Sequence, residues 1–437
     1  MAAAVTLALP AIGQEFNAGA VQLGWVITGY ILSMGVFILP FGRLGDIIGR
    51  RKVLMAGLYL FTISTCLIAL SQNITFMIVF RIIQGFSSAM IFGTNMAVLS
   101  TVFQAGERGR AMGITSTFTY LAAALGPVIG GIFTQYLSWR SIFIFPLPFQ
   151  IVSILIITLK IKTPWEGDAG QKYDWKGSIV YGFSLFGLIY GFSNLPALTG
   201  WICLAAGIVL AIVFIFMELR INNPLFEIRL IISNKAFAFS SAAAFINFAC
   251  TNAIGFFFSL YLQYLKGFDA RTAGLILIAQ PFAIMLTTPI AGRLSDRKNP
   301  EIIASIGMGI ISLCLVMLCF INSNTHMLFL IAVLFIIGIG FGLFVAPNSN
   351  AIMSSVQSSY LGLASGALGT MRMIGQSMSM AIVLMLISIF IGNEVITPAI
   401  YPSLLLVIRM GFLVFAALSA IGILVSLAGK KSVIRKH

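Results

Sequence analysis

The stretch GRLGDIIGRRK, residues 42 to 52, places five charges in eleven residues of a chain that is only 9% charged. A shorter version, GRLSDRK, returns at residues 292 to 298, and 59% of all residues are hydrophobic. Apolar runs of about 20 residues surround both copies, and such a run is long enough to cross the ~30 Å hydrocarbon core as a helix. Lipid offers the backbone no hydrogen-bond partners, so these runs are predicted to be helical. The two charged stretches are therefore predicted to be short loops of an all-α integral membrane protein.

Hydropathy and helix-breaking residues predict fourteen transmembrane helices, of which the first is too short to span, since 12 residues rise only about 18 Å. The predicted helices are residues 1–12, 21–41, 53–71, 74–102, 108–134, 139–160, 175–193, 199–219, 236–263, 271–292, 301–321, 327–349, 360–391 and 402–428.

Two polar breaks divide these helices into groups of six, two and six. The breaks are residues 160–177 and 218–235. We therefore predict an N-terminal six-helix bundle with an incomplete first helix over 1–160, a linker with two extra transmembrane helices over 161–232, and a C-terminal six-helix bundle over 233–437.

The basic residues predict the orientation. If the loop at 42–52 is cytoplasmic, 20 of the 26 Lys and Arg residues lie on the cytoplasmic side and three lie outside. The positive-inside rule then places both termini in the cytoplasm of a multi-pass protein of the cell (plasma or inner) membrane. Since the +14 net charge sits in loops between apolar runs, it indicates topology rather than a nucleic-acid partner.

Several kinds of chemistry are not indicated. All five cysteines fall inside apolar runs without C-x-x-C spacing, and there are two histidines, so no metal site is expected. The chain lacks a G-x-x-x-x-G-K-[ST] motif, so a nucleotide is not expected as the energy source. We find no catalytic constellation and no large extramembrane domain of the kind that a membrane enzyme or receptor needs. We expect a monomer without cofactors that acts on a small-molecule substrate within the lipid bilayer.

The two charged loops join helices 2 and 3 of each six-helix half, and parallel halves are one known transporter plan. Here the sequence resembles the major facilitator superfamily, and more closely its fourteen-helix drug:proton antiporter branch. The first loop matches the family pattern G-x-L-x-D-x-x-G-R-[RK] through Gly42, Leu44, Asp46, Gly49, Arg50 and Arg51. The second loop keeps Gly292, Leu294, Asp296 and Arg297, with Asn299 where a glycine would fall.

Further motifs carry the resemblance in the same order as in the family. RIIQG at 81–85 matches R-x-x-Q-G, which the resemblance links to proton transfer. LGPVIGG at 125–131 matches the G-P-x-x-G-G pattern of exporters through Gly126, Pro127, Gly130 and Gly131. WRSIFIFPLP and NPLFEIRL also resemble this branch.

Each motif also has a plainer interpretation. Glycine allows tight turns and close helix approach, and Asp46 can cap a helix or pair with Arg50, so the loop can latch two bundles together. Alternatively, its charges only fix the topology. The Gly-Pro motif either marks an efflux direction or only gives tight packing with a kink.

Ionisable residues at membrane depth are candidates for function. Arg81 and Arg409 lie about seven residues from a helix end and could snorkel. Arg372 lies about 18 Å into its helix and needs partners. All twelve acids map to loops or helix ends. The candidates for coupling or substrate binding are Arg81, Gln84, Arg372, Gln376, Tyr30, Asn95, Tyr120, Asn247, Asn252 and Gln280.

The leading hypothesis is a secondary active exporter of amphiphilic drugs or toxic compounds, driven by an ion (proton) gradient. The alternatives are export of an anionic metabolite and a uniporter without proton coupling. In the resembling branch an aspartate often stands nine residues before the proline of an A-L-P triplet, and Ala8-Leu9-Pro10 puts Met1 in that place. We expect that the sequence begins at an internal methionine, against the alternative of a short helix 1. We also expect that any proton coupling is weak or uses another group.

Overall fold

The structure is a computed structural model that describes residues 2–102, 108–160, 173–221, 224–357 and 361–433. Every regular element within these ranges is helical, as the hydropathy predicts. The N-terminal half contains α1 (Ala2–Phe16), α2 (Ala20–Ile48), α3 (Arg50–Ala69), α4 (Ile74–Val102), α5 (Arg108–Tyr136), α6 (Ser141–Ile144) and α7 (Leu147–Lys160). The predicted helix 139–160 is interrupted at 145–146, because Pro146 and Pro148 have no N–H for a helical hydrogen bond.

The two extra helices are α8 (Trp175–Ser193) and α9 (Leu198–Glu218). The C-terminal half contains α10 (Ile228–Ser233), α11 (Lys235–Thr251), α12 (Ile254–Leu260) with a π turn at Tyr261–Leu265, α13 (Ala270–Leu277), α14 (Ala279–Ser295), α15 (Pro300–Leu318), α16 (Met327–Ser354), α17 (Leu361–Phe390) and α18 (Tyr401–Val433), which follows a 3₁₀ turn at Pro398–Ile400. The short helix α10 is an element that the sequence did not predict.

Two predicted helices of this half are broken. Helix 236–263 breaks after α11, where the Ala253 N–H donates to Ser379 Oγ of α17 at 3.1 Å instead of continuing the helical ladder. Helix 271–292 breaks at Ile278, three residues before Pro281, which cannot donate to the Leu277 carbonyl. Eleven helices of the described part are long and apolar enough to cross a membrane, which makes the chain a multi-pass membrane protein.

The connections give the bundle two ends. We call the end that carries residues 42–52 and 292–299 the basic end. The other, the opposite end, carries residues 17–19, 137–140, 266–269 and 391–394. The two halves contact each other where α2 meets α17, where α1 meets α12 and α13, and where α5 meets α13 and α14.

Small residues allow the close helix contacts. A Cβ on Gly85 of α4 would collide with the Tyr30 carbonyl of α2, and a Cβ on Gly93 would lie 2.9 Å from the Ile38 carbonyl oxygen. Gly307 and Gly340 approach each other in the same way between α15 and α16. Helices that meet in lipid gain from such close packing, because there is no hydrophobic driving force between them.

The hairpin of α8 and α9 packs over the line where α2 meets α17. Tyr181 is buried, and its hydroxyl donates to the Gly35 carbonyl of α2 at 2.9 Å. One apolar cluster joins Leu32 of α2, Leu185 of α8, Phe214 of α9 and Ala381 of α17. The two extra helices therefore contact both halves.

Candidate functional site

Arg81 of α4 is a buried cation with its partners inside the N-terminal half. Its side chain is 1% exposed. Its Nε donates to the Val26 carbonyl at 3.0 Å, and its Nη1 donates to Gln84 Oε1 at 2.6 Å. Its Nη2 is buried and has no hydrogen-bond partner among the described residues. Arg81 therefore does not snorkel, and its Nη2 amino group remains able to bind an anion or water.

The R-x-x-Q-G motif explains how this network forms. Residues three apart share a helix face, so Arg81 and Gln84 point the same way. Gln84 then donates to Thr65 Oγ1 of α3 at 2.8 Å. Gly85 brings α2 close, and the Arg81 guanidinium lies 4.3 Å from the centroid of the Tyr30 ring. The structure thus joins three predicted site residues, Arg81, Gln84 and Tyr30, into one network that spans three helices.

Beside this network lies a flexible apolar surface that belongs to both halves. Met34 of α2 and Met373 of α17 pack with Ala89, and we call these three residues the methionine cluster. Tyr30 borders it. Phe86 packs edge-on against Phe37 and Phe41, with ring centroids 4.7 and 4.8 Å away. Methionine and aromatic side chains adapt to ligands of different shape, so this cluster suits a variable apolar ligand.

Arg372 lies near the middle of α17, and its side chain is exposed there. Its guanidinium carbon is 5.1 Å from the centroid of the Phe248 ring, and Phe248 packs edge-on against Phe341 of α16 at 5.6 Å. An exposed cation at this depth indicates an opening between the helices, since contact with lipid alone is unfavourable. Arg372 and Met373, which belongs to the methionine cluster, are consecutive residues of α17.

The neutral candidates of the C-terminal half lie on α11 and at its end. Asn247 is fully buried, and neither its Oδ1 nor its Nδ2 has a hydrogen-bond partner among the described residues. Asn252 Nδ2 makes a long contact of 3.4 Å with the Gln376 carbonyl. A buried amide without partners is unfavourable, so Asn247 is the stronger candidate for binding a polar group.

The remaining predicted residues are less informative. Asn95 and Gln280 are half-buried, and the Gln280 carbonyl packs against Gly338 of α16. The side chain of Tyr120 lies outside the described residues. Arg409 donates to the Ile321 carbonyl at 2.6 Å, a contact that fixes the connection after α15.

The Gly-Pro motif of α5 forms contacts between the halves near the opposite end. A Cβ on Gly131 would collide with the Ala270 carbonyl of α13, and Gly274 of α13 meets the Pro127 carbonyl in the same way. Gly130 faces Ala4 of α1, whereas Gly126 lies one residue before the buried Pro127. The motif therefore lets three helices meet without side chains between them.

Further contacts close the opposite end. Ser259 donates to the Thr6 carbonyl at 2.7 Å, Gln263 donates to the Leu7 carbonyl at 3.1 Å, and Ala20 N donates to the Glu394 carbonyl at 3.1 Å. Toward the basic end, a Cβ on Gly366 or Gly369 of α17 would meet nothing within 4 Å. The described contacts thus join the two halves at the opposite end.

The loop at 42–52 is more helical than predicted. Gly42 lies inside α2 rather than in the loop, and its small size allows a close approach of Gly93 of α4. Only Gly49, with φ 107°, separates α2 from α3. A positive φ favours glycine, which explains this position of the motif.

The charged residues of the two loops behave differently. Asp46 pairs with Arg50 at 2.9 Å and does not cap α3. Arg51 keeps its Nε buried without a hydrogen-bond partner among the described residues. In the second loop, Asp296 and Arg297 are exposed, and Asn350 of α16 donates to Asp296 Oδ1 at 3.3 Å. Gly292 has Ala346 3.9 Å from its Cβ position.

A polar cluster also holds the N-terminal half together at the opposite end. Glu15 Oε2 accepts hydrogen bonds from Trp139 Nε1 at 2.7 Å and Arg140 Nη1 at 2.9 Å. The bond from Arg140 holds the pKa of Glu15 below its ordinary value. The side-chain hydrogen bond from Thr272 likewise lowers the pKa of Asp269, which caps α13.

One acidic pair at the basic end was not predicted from the sequence. Glu218, the last residue of α9, is 1% exposed, and Asp174 caps α8. Both carboxyl groups lie against Gly177. Both acids sit at helix ends beside polar loops, which is the normal place for a solvated acid, so no signal in the sequence distinguished them.

Comparison with known proteins agrees with this architecture. The sequence profile of the Major Facilitator Superfamily matches residues 1–380. The riboflavin transporter RibZ of Clostridioides difficile is 28% identical over 376 residues, which cover 84% of this chain and 80% of the relative. The multidrug resistance protein Stp of Mycobacterium tuberculosis is 27% identical over 385 residues, or 86% of this chain and 71% of the relative.

A third relative is the tetracenomycin C resistance and export protein of Streptomyces glaucescens, 25% identical over 396 residues that cover 89% of this chain and 73% of the relative. Among solved structures, a chain from work on substrate recognition in proton-dependent oligopeptide transporters superposes with a TM-score of 0.65 and 14% identity, covering 99% of this chain and 96% of the other. At that identity the likeness concerns the fold alone.

Proposed function

The chain belongs to the Major Facilitator Superfamily, whose members are transporters and not enzymes, and we propose that it is a secondary active exporter of amphiphilic compounds. The proposal includes fourteen membrane crossings in the six, two and six arrangement. It also includes a cell-membrane location with cytoplasmic termini and alternating access driven by an ion (proton) gradient. In this orientation the basic end is cytoplasmic.

The observation that carries the proposal is the contact between the halves at the opposite end and along the middle of the bundle. Contacts run from Gly19 and Asn393 at the opposite end to Met34 and Met373 in the middle. Beyond them, Gly369 faces open space toward the basic end. We infer that a substrate enters from the cytoplasm and reaches the methionine cluster, while the contacts at Gly131 and Gly274 close the other side.

Each half contributes a different chemistry to the binding region. The N-terminal half offers the rigid network of Arg81, Gln84 and Tyr30, and the shared methionine cluster offers an adaptable apolar surface. The C-terminal half offers the cation Arg372 and the unsatisfied amide of Asn247. An amphiphile with an apolar ring system and one polar end fits this set.

A second candidate function is export of an anionic metabolite. Arg372 favours it, because an exposed cation next to aromatic rings can bind a carboxylate or phosphate. The relatives with known names include both drug exporters and a riboflavin transporter. A uniporter without proton coupling is the third possibility.

Counterflow in proteoliposomes distinguishes these functions. Purified protein is reconstituted with a panel of cationic, neutral and anionic amphiphiles, with and without an imposed pH gradient. The proposal expects uptake of several chemically unrelated amphiphiles that the gradient accelerates. Uptake restricted to anions supports the second function, and uptake that ignores the gradient supports the third.

A further inference from the structure

Two carboxyl groups face each other at the basic end of the α8–α9 hairpin. Asp174 Oδ1 accepts the Gly177 N–H at 2.8 Å, and Glu218 Oε2 accepts the Phe226 N–H at 2.9 Å. Each acid thus has one oxygen satisfied by the backbone. The other two oxygens, Asp174 Oδ2 and Glu218 Oε1, are buried without hydrogen-bond partners among the described residues.

The two free oxygens are directed at one small space. A Cβ on Gly177 would collide with Asp174 Oδ2 and lie 2.7 Å from Glu218 Oε1. Glycine at 177 is what lets the carboxyl groups come together over the first turn of α8. Two ionised carboxylates at such close range repel each other strongly, and burial removes the water that would screen them.

The charged and titratable neighbours do not neutralise the pair. The Tyr173 hydroxyl donates to the Pro40 carbonyl at 3.3 Å, and Arg229 donates to the Leu219 carbonyl at 2.8 Å. Lys176 and Arg220 are exposed, and among the described residues Glu227 makes no hydrogen bond to either acid. Within the described part of the chain, the pair therefore has two backbone donors and no cation that binds its free oxygens.

We propose that Asp174 and Glu218 form a proton-binding site that shares one proton between Glu218 Oε1 and Asp174 Oδ2 at neutral pH. The proton resides on Glu218, the more buried acid, and Glu218 donates it to Asp174. Asp174 accepts this bond through Oδ2, while its Oδ1 caps the first turn of α8. A metal ion does not suit the site, because hard cations take six or more oxygen ligands and only two are free here.

Loss of this proton is expected to change the contacts that the hairpin makes where the two halves meet. The hairpin is attached to α2 through Tyr173 and Pro40, two residues before the loop motif, and through Tyr181 and Gly35. Glu218 also holds Phe226, which packs in the clusters that join α2, α9, α10 and α17. When the proton leaves to solvent, two facing carboxylates remain, and the basic end of α8 separates from the basic end of α9.

Infrared difference spectroscopy of the purified protein tests the site directly and needs no transport. The wild-type protein is expected to show the carbonyl stretch of a protonated carboxylic acid at neutral pH, and to lose it on a jump to alkaline pH. Glu218→Gln is expected to lack this band, because its amide donates permanently to Asp174. The matched control Glu227→Gln, an acid on the same segment, is expected to keep the band.

A second variant keeps the test decisive if Glu218→Gln does not fold. In Asp174→Asn the new amide donates to Glu218, so Glu218 ionises and the band again disappears. Absence of the band from wild-type protein, or its survival in both variants, would overturn the proposal. Loss of the band on adding sodium or calcium chloride at constant pH would also overturn it, since it would indicate a cation site.

The consequence for the fold has its own readout. The wild-type melting temperature is expected to fall as the band is lost with rising pH, whereas Glu218→Gln removes this fall and Glu227→Gln does not. A wild-type melting temperature that stays constant while the band disappears would mean that the proton does not stabilise the hairpin. Both measurements stand apart from the proposed export activity, so a failed transport assay does not affect them.

Discussion

Substitution of Gly131 by valine tests whether α5 and α13 separate during transport. A Cβ at this position would lie 3.1 Å from the Ala270 carbonyl carbon and 3.2 Å from Arg271 Cα, besides colliding with the Ala270 oxygen. Carbon atoms prefer about 3.5–4.0 Å, and the Ala270 oxygen lies closer still, so the two backbones have to move apart by at least about 0.5 Å. Such overpacking costs about 1–3 kcal/mol.

This penalty applies only when the opposite end is closed. If that end opens in the other half of the cycle, the valine has room, and the penalty becomes a bias between the two forms. A difference of 1–3 kcal/mol corresponds to a change of about 5- to 150-fold in their ratio. The ratio of the form that is open at the basic end to the form that is open at the opposite end should then fall by this factor.

Thiol labelling measures the ratio. In a background without the five native cysteines, one reporter is Gly369→Cys, which faces open space, and the other is Gln135→Cys near the opposite end. Gly131→Val is expected to slow labelling at 369 relative to 135. Gly255→Ala is the control, since a Cβ there meets nothing within 4 Å. Equal labelling ratios in Gly131→Val and the control would refute the reasoning.

Three further substitutions have defined outcomes. Arg372→Ala is expected to abolish counterflow and Arg372→Lys to restore part of it; normal transport by Arg372→Ala would make that arginine structural. Arg409→Met is the comparison: it is expected to lower the melting temperature but to retain transport, because Arg409 holds the Ile321 carbonyl after α15. Asp46→Asn is expected to reduce transport with about 1 kcal/mol of destabilisation or less, since the side chains of its pair with Arg50 are 30% and 41% exposed. Transport at the wild-type rate would leave the loop with a topological role only. Glu15→Gln is expected to make the melting temperature depend less on pH in the acid range. The reason is that the pKa of Glu15 is lower in the folded protein than its unfolded value of about 4.3. The ionised carboxylate therefore stabilises the fold above about pH 4.3, and this stabilisation is lost as the pH falls through the folded pKa. Melting temperatures from acid to neutral pH check this, and an unchanged acid limb would contradict it.

The helices could be predicted from the sequence because each apolar run has to satisfy its own backbone. The described bounds of α3, α4, α8 and α9 agree with the predicted segments within a few residues. The interruptions inside other segments were harder to predict. Ala253 leaves its helix because Ser379, far away in the chain, takes its N–H, and such a contact exists only in the folded protein.

The site shows the same division between local and tertiary information. The spacing of Arg81 and Gln84 predicts a shared face, but their neighbour Tyr30 comes from another helix that Gly85 admits. Arg372 was identified from its depth alone, while its contact with Phe248 depends on how α11 and α17 pack. The pair of Asp174 and Glu218 was missed, because polar loops flank both acids and only the packing of α8 on α9 buries them.

Paired distance measurements across the two ends of the bundle test the alternating-access account most directly. Spin labels at Leu137 and Ser323 report the separation of the halves at the opposite end, and labels at Lys52 and Lys298 report it at the basic end; all four side chains are exposed. During counterflow conditions the account predicts two populations, in which one distance lengthens when the other shortens. Transport that proceeds while both distances stay constant, or while both lengthen together, would contradict it.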